Sequence, residues 1–250
     1  MRYTIFALLG AVALFGCNTT GTGGGDDGDG DGNGNGNGNG GGEETKAPEF
    51  PTGTGQAPQA TKAYAPAPYG VAPGSIIANY KLIGFPNAMK DSTTLKEIQL
   101  ADFYNPTGDG VYEEGSVFEA GTPKPKALLI NIGSTWCPPC NHEADVVLPP
   151  LYLKYKPMGG EFLLQLQDGP TPGINATTKS LYNWTQKYDV DYPGTIDPAA
   201  KLMALSESDA FPTNFIINTR TMMIVDVIAG SPEPGSSFFK TFEKVLAGDI

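Results

Sequence analysis

The apolar run Ala127-Leu128-Leu129-Ile130-Asn131-Ile132 leads directly into Trp136-Cys137-Pro138-Pro139-Cys140, and this junction restricts the fold more than any other part of the chain. It reads as a strand that delivers a dithiol to the first turn of a helix. Two cysteines separated by two residues at a helix start exchange between a small-loop disulfide and a dithiol whose first member is held as thiolate by the helix N-terminus. Reactivity, not packing, accounts for the pair.

The third cysteine, Cys17, belongs to a different feature. Residues 1–16 carry one basic residue, Arg2, followed by an apolar run from Ile5 to Phe15, too short for a comfortable membrane span and typical of a secretory signal. Leu14-Phe15-Gly16-Cys17 resembles the lipobox of bacterial lipoproteins, in which cleavage before the cysteine leaves it as the lipidated terminus. An ordinary signal peptide with a chance cysteine is the competing reading, and no small-x-small cleavage site fits as well. With Cys17 carrying lipid, Cys137 and Cys140 remain as an even pair in an oxidising compartment. The expected location is the cell envelope, anchored to a bacterial membrane and facing its extracytoplasmic side. Asn18 carries no aspartate-type retention signal.

Residues 17–68 are expected to form a tether. Gly23 to Gly42 is glycine interleaved with aspartate and asparagine, and Ala47 to Pro68 is rich in Pro, Thr and Ala, so a flexible coil is followed by a stiffer spacer. Random-coil scaling over this length gives a reach of about 40 Å. The Gly/Asp tract lacks the fixed ligand spacing of a calcium site. Its acidic residues contribute much of the net charge of −11, which argues against nucleic acid as a partner.

Residues 69–250 are long enough for one domain. Tyr80–Gly84 and Lys96–Leu100 read as short strands, Phe162–Leu166 as a third, Thr178–Tyr188 as a helix, Thr213–Asn218 and Met222–Val227 as a hairpin, and Ser236–Leu246 as a closing amphipathic helix. The predicted class is α/β: a central mixed sheet covered by helices on both faces.

The block from Ala127 to Cys140, with Phe211-Pro212-Thr213-Asn214-Phe215-Ile216-Ile217-Asn218 downstream, resembles the thioredoxin superfamily, most closely its membrane-tethered TlpA/ResA-like thiol–disulfide oxidoreductases. Three further features carry the resemblance: a strand pair ahead of the motif ending in Leu100-Ala101-Asp102-Phe103, Asn131 six residues before Cys137, and Glu143 three residues after Cys140. The resemblance implies a thioredoxin-like fold with an N-terminal strand-pair extension, and a cis Pro212 lying against the dithiol. It further implies protein thiols and disulfides as substrates, with a membrane electron donor, a lipid-anchored monomer, and no cofactor beyond the Cys137–Cys140 disulfide.

Cys137, at the N-cap and expected to be the more exposed cysteine, is the candidate nucleophile, and Cys140 the resolving cysteine. Pro138 and Pro139 remove two N–H groups from the helix start and leave mainly the Cys140 N–H to stabilise the thiolate, which predicts a modestly lowered pKa and a reductant more than an oxidant. Glu143 is a candidate proton relay to Cys140, or else a first-turn carboxylate complementing the helix dipole. Trp136 and Phe211 are candidate substrate-binding walls beside Pro212, Phe211 narrowing access.

His142, the sole histidine, is expected to be a solvated helix residue. A c-type haem attachment would need it at position 141, where Asn141 stands, and a zinc site would need four convergent ligands, so no metal site is predicted. The acidic insertion between Tyr104 and Lys126 is either a plain surface loop or one beside the site, and Pro149-Pro150 should bend or end the motif helix near Leu148. Two other functions stay open: a peroxide-reducing enzyme, although no proline stands ahead of Cys137 in Ile132-Gly133-Ser134-Thr135-Trp136, and a non-catalytic lipoprotein with a permanent disulfide.

Overall fold

A computed structural model describes residues 62–199, 201–202 and 210–250. The expected signal segment, Cys17 and most of the expected tether therefore lie outside the described residues. Two strands open the fold, β1 (Lys81–Phe85) and β2 (Lys96–Gln99), and β2 runs straight into the one-turn helix α1 (Leu100–Phe103). Next come β3 (Ala127–Ser134) and α2 (Pro138–His142), a π-helical turn over Glu143–Val147, and α3 (Leu148–Tyr155). The remaining elements are β4 (Gly160–Asp168), α4 (Thr178–Lys187), β5 (Gly194–Ile196), the hairpin β6 (Thr213–Asn218) and β7 (Met223–Ala229), and α5 (Ser237–Ala247). The strands form one seven-stranded sheet in the order β2-β1-β5-β4-β3-β6-β7. β3, β4 and β5 are parallel to their neighbours among one another, while β1, β2, β6 and β7 enter antiparallel pairs. This is the thioredoxin-like, mixed α/β sheet with an N-terminal strand pair.

The period of two along each strand divides the core. Leu129 of β3, Phe162 and Leu164 of β4 and Ile216 of β6 face the side covered by α2, α3, α4 and α5, whereas Leu128, Ile130, Leu163, Phe215 and Ile217 face the other. Helical cover is uneven. The second face carries α1, through Leu100 and Phe103, and irregular chain that includes Ala65 and Ile77. Ala65 is buried there, so packed chain begins ahead of residue 69, inside the stretch expected to be spacer. The reason is composition at short range: Tyr64 and Ala65 supply apolar area within a Pro-rich segment, and the Tyr64 hydroxyl donates to the Ile77 carbonyl at 2.8 Å.

One expectation is corrected in the helices, and one strand is added. Pro149 and Pro150 do not end the motif helix near Leu148; it continues to Tyr155, because the π turn ahead of them places both prolines in the first turn of α3, where a missing N–H costs little. β5 went unread, since three residues between Pro193 and Asp197 carry no periodicity. The insertion is a packed feature: Val111 pairs with Pro123, and Tyr112 stacks on Phe118 at 4.7 Å. It feeds into the start of β3 and is tied by Asn105 and Thr219 to that end of the sheet, a strand's length from the dithiol.

Phe242 of α5 seals the helical face, its ring 5.1 Å from Tyr155 and 6.0 Å from Phe162. Phe242→Ala is expected to destabilise the fold by about 3–5 kcal/mol through lost burial and the cavity left behind, read by chemical denaturation at constant slope.

Candidate active site

β3 ends at Ser134, and three residues later the chain turns into α2 with Cys137 as its N-cap. An N-cap side chain must satisfy one of the free N–H groups of the first turn, and here sulfur does so: the Cys140 amide donates to Cys137 Sγ at 3.2 Å. Pro138 and Pro139 offer no competing N–H, as their sequence requires. Cys137 and Cys140 are joined as a disulfide, their Cα atoms 5.3 Å apart. Cys137 is not the more exposed cysteine. The two are 2% and 3% exposed, part of the apolar core on the helical face, while their chain neighbours Trp136, Pro138 and Pro139 are exposed.

Asn141 was not singled out by sequence reasoning except as the residue that defeats a haem motif. Its amide donates to the Cys137 carbonyl at 2.7 Å and to the Thr135 carbonyl at 3.1 Å, and its Oδ1 accepts from the Tyr188 hydroxyl. The approach to α2 is thereby fixed to α4. No sequence pattern marks such a staple beyond adjacency to Cys140. His142 is exposed on the same helix.

Trp136 is 39% exposed and is held at two points: its ring meets Phe211 edge-on at 5.9 Å, and its Nε1 donates to Asp168 Oδ2 at 3.1 Å. Asp168, at the end of β4, also accepts from the Gly173 amide at 2.8 Å, so one carboxylate fixes the indole and the loop beyond β4. The Phe211–Pro212 peptide is cis. Antiparallel pairing of Ile132 with Thr213 sets Pro212 at the sheet end where β3 turns toward Cys137. Trp136, Phe211, Pro212 and the dithiol, distant in sequence, thus share one end of the sheet.

Beneath α2 lies the charged part of the site. Glu143 is 1% exposed and begins the π turn, past the first turn of α2, so it does not serve as an exposed partner of the helix dipole. Its Oε2 accepts from Asn131 Nδ2 at 2.6 Å and its Oε1 from Asn214 Nδ2 at 2.9 Å. Burial pushes the Glu143 carboxyl up to about 7, with hydrogen bonds from Asn214, Asn131 and Ser231 opposing the rise. A β-carbon added at Gly133 would lie 3.8 Å from Cys140 Sγ and 3.9 Å from Asn131 Oδ1, so the Cys140 sulfur and the amide that holds Glu143 approach the same point over β3. A buried carboxyl that titrates near neutrality, one helical turn beyond Cys140 in the chain, is suited to moving a proton.

No family model matches the chain. It is 29% identical over 115 residues to thiol-disulfide oxidoreductase ResA of Bacillus cereus, covering 46% of this chain and 62% of the relative. To ResA of Bacillus subtilis it is 23% identical over 146 residues, 58% of this chain and 65% of the relative. The chain therefore spans somewhat under two thirds of the curated relatives it matches. Among solved structures, a hypothetical protein from Sinorhizobium meliloti superposes with a TM-score of 0.51 at 16% identity over 72% of this chain and 86% of that one, a likeness of fold. An uncharacterized conserved protein from Geobacillus kaustophilus gives a TM-score of 0.51 at 14% identity, over 72% and 84%.

Proposed function

Since the chain is a ResA/TlpA-like protein of the thioredoxin superfamily, we propose that it is a thiol–disulfide oxidoreductase that reduces protein disulfides through Cys137 and Cys140, held at a bacterial membrane by lipid on Cys17. The observation that most supports this reading is the Cys137–Cys140 bridge at a helix start, with an N–H aimed at Cys137 Sγ and a near-neutral carboxyl buried below.

In the reduced protein the Cys137 thiolate attacks one sulfur of a substrate disulfide. The substrate S–S bond breaks, and one substrate sulfur leaves as thiolate, taking a proton from solvent. Cys140 then gives its proton to Glu143, and its thiolate attacks Cys137 Sγ, releasing the second substrate sulfur and closing the Cys137–Cys140 disulfide. Two electrons pass to the substrate, and the disulfide is the state described above. An extracytoplasmic dithiol donor, membrane-bound in this proposal, returns them. Trp136, Phe211 and Pro212 form the surface that receives the substrate chain. No cofactor beyond the two sulfurs takes part, and one copy of the chain suffices.

The burial of both cysteines favours one other reading, a permanent disulfide. Equilibration of the chain in glutathione and dithiothreitol buffers, read by alkylation and mass spectrometry, separates the two. A potential near about −270 mV is expected for a reductant, and one well below about −300 mV would leave only a structural bridge. A value near about −120 mV would make the chain an oxidant instead.

A further inference from the structure

Asn131 and Asn214 are direct cross-strand partners in the antiparallel β3–β6 ladder, on the face that α2 covers. Side chains directly opposite in a ladder stand close enough to bond, and here the Asn131 amide donates to Asn214 Oδ1 at 2.9 Å as well as to Glu143 Oε2. Asn214 spends its own two N–H groups on Glu143 Oε1 and, at 3.3 Å, on the Gly230 carbonyl. The three side chains close a ring of three hydrogen bonds, two directed at the carboxylate and one from Asn131 to the Asn214 amide oxygen. Both carboxylate oxygens accept, and a proton on Oε1 would meet a donor. All three residues are buried.

We propose that Asn214 is a positioning residue of the redox centre: with its ladder partner Asn131 it clamps Glu143 as a two-oxygen acceptor, and so sets how readily Glu143 takes the Cys140 proton. This deepens the oxidoreductase reading and rests on it only for the consequence in turnover. Donors directed at a carboxylate favour its charged form and oppose burial, which favours the neutral one. The other titratable groups around Glu143 are Cys140 on α2, His142 and Asp145 flanking it in the chain and both exposed, and Tyr192 before β5, whose hydroxyl is held protonated in part by the Glu143 charge. The Ser231 hydroxyl beyond β7 adds a further bond to the carboxylate. The balance therefore lies between burial and the amides, and Asn214 is the amide that joins β6 to the site.

The test is carboxyl-carbon NMR titration of Glu143 in the oxidised full chain, in Asn214→Val and Asn214→Thr. Both replacements are β-branched and suit a central strand, and only threonine retains a donor. In Asn214→Val the Glu143 titration is expected to move upward by about one pH unit, a tenfold gain in proton affinity, and Asn214→Thr should return part of it. The pH at which Cys140 resolves a trapped Cys137 mixed disulfide should move in the same direction. A titration unmoved by Asn214→Val, or moved equally by Asn214→Thr, would overturn the clamp. Because the NMR readout needs no substrate, an inactive dithiol would defeat the oxidoreductase reading and leave this measurement valid.

Discussion

Replacing Cys137 by alanine is expected to abolish reduction of protein disulfides, with turnover falling to the rate of the uncatalysed exchange. Cys140→Ala should instead accept the first substrate sulfur and stop, accumulating a mixed disulfide on Cys137. The asymmetry follows from the helix start. Cys137 Sγ receives the only N–H free in the first turn, that of Cys140, so in the reduced protein it is the sulfur expected to be stabilised as thiolate. Exposure does not discriminate between the two. Non-reducing electrophoresis of both variants after exposure to a disulfide-bonded substrate, with mass spectrometry of the adduct, reads the result. Adduct on Cys140 in the Cys137→Ala variant at a comparable rate would reverse the roles. A separate assay tests the peroxide-reducing alternative: hydrogen-peroxide consumption by the reduced chain that is lost in Cys137→Ala would favour it.

Glu143→Gln is expected to slow the resolving step by about a hundredfold or more, within the range of a lost general acid–base group, while leaving the first attack by Cys137 largely intact. In the parent chain the resolving rate should rise with pH through about 7, where the Glu143 carboxyl titrates, and the variant should lose that rise. Stability supplies a second readout. Below about pH 4.5 the Glu143 carboxyl is protonated in the folded and unfolded chain alike, and its burial then costs little. Between 4.5 and about 7 the unfolded chain releases the proton while the folded one keeps it, so stability falls, by about 3 kcal/mol in all at pH above 7. Glu143→Gln should remove this portion of the pH dependence of denaturation, leaving whatever slope buried Glu161 contributes by the same mechanism. An unchanged pH slope would mean that Glu143 is ionised in the fold at neutral pH.

Much of this was legible in the chain. The strand before the dithiol, the hairpin after Pro212 and the last helix lie within a few residues of where periodicity placed them, because each buries one face along a single element and advertises it at a spacing of two or of three to four. The N-cap sulfur and its one amide partner were legible too, since Cys-Pro-Pro-Cys deletes every other donor in the turn. The insertion and the π turn were not. Whether an acidic loop packs depends on Tyr112 and Phe118 finding Phe103 across the fold, and whether two prolines break a helix depends on where the turn before them places their missing N–H groups.

The sequence by itself determined the candidate reacting atoms: two sulfurs three positions apart at a helix start, a carboxyl three residues beyond, and a proline ahead of a strand. These are local, and backbone geometry over a few residues carries them. Only the tertiary structure decided what state those atoms are in. The two sulfurs are buried in the core of the helical face; Trp136 is fixed by Asp168 from another strand; and Glu143 is held by two asparagines 83 residues apart that meet because β3 and β6 pair in one register. A one-residue slip of that ladder would turn either amide to the opposite face. Desolvation and hydrogen bonding act through space, so the proton affinity of Glu143 is a property of the assembled sheet.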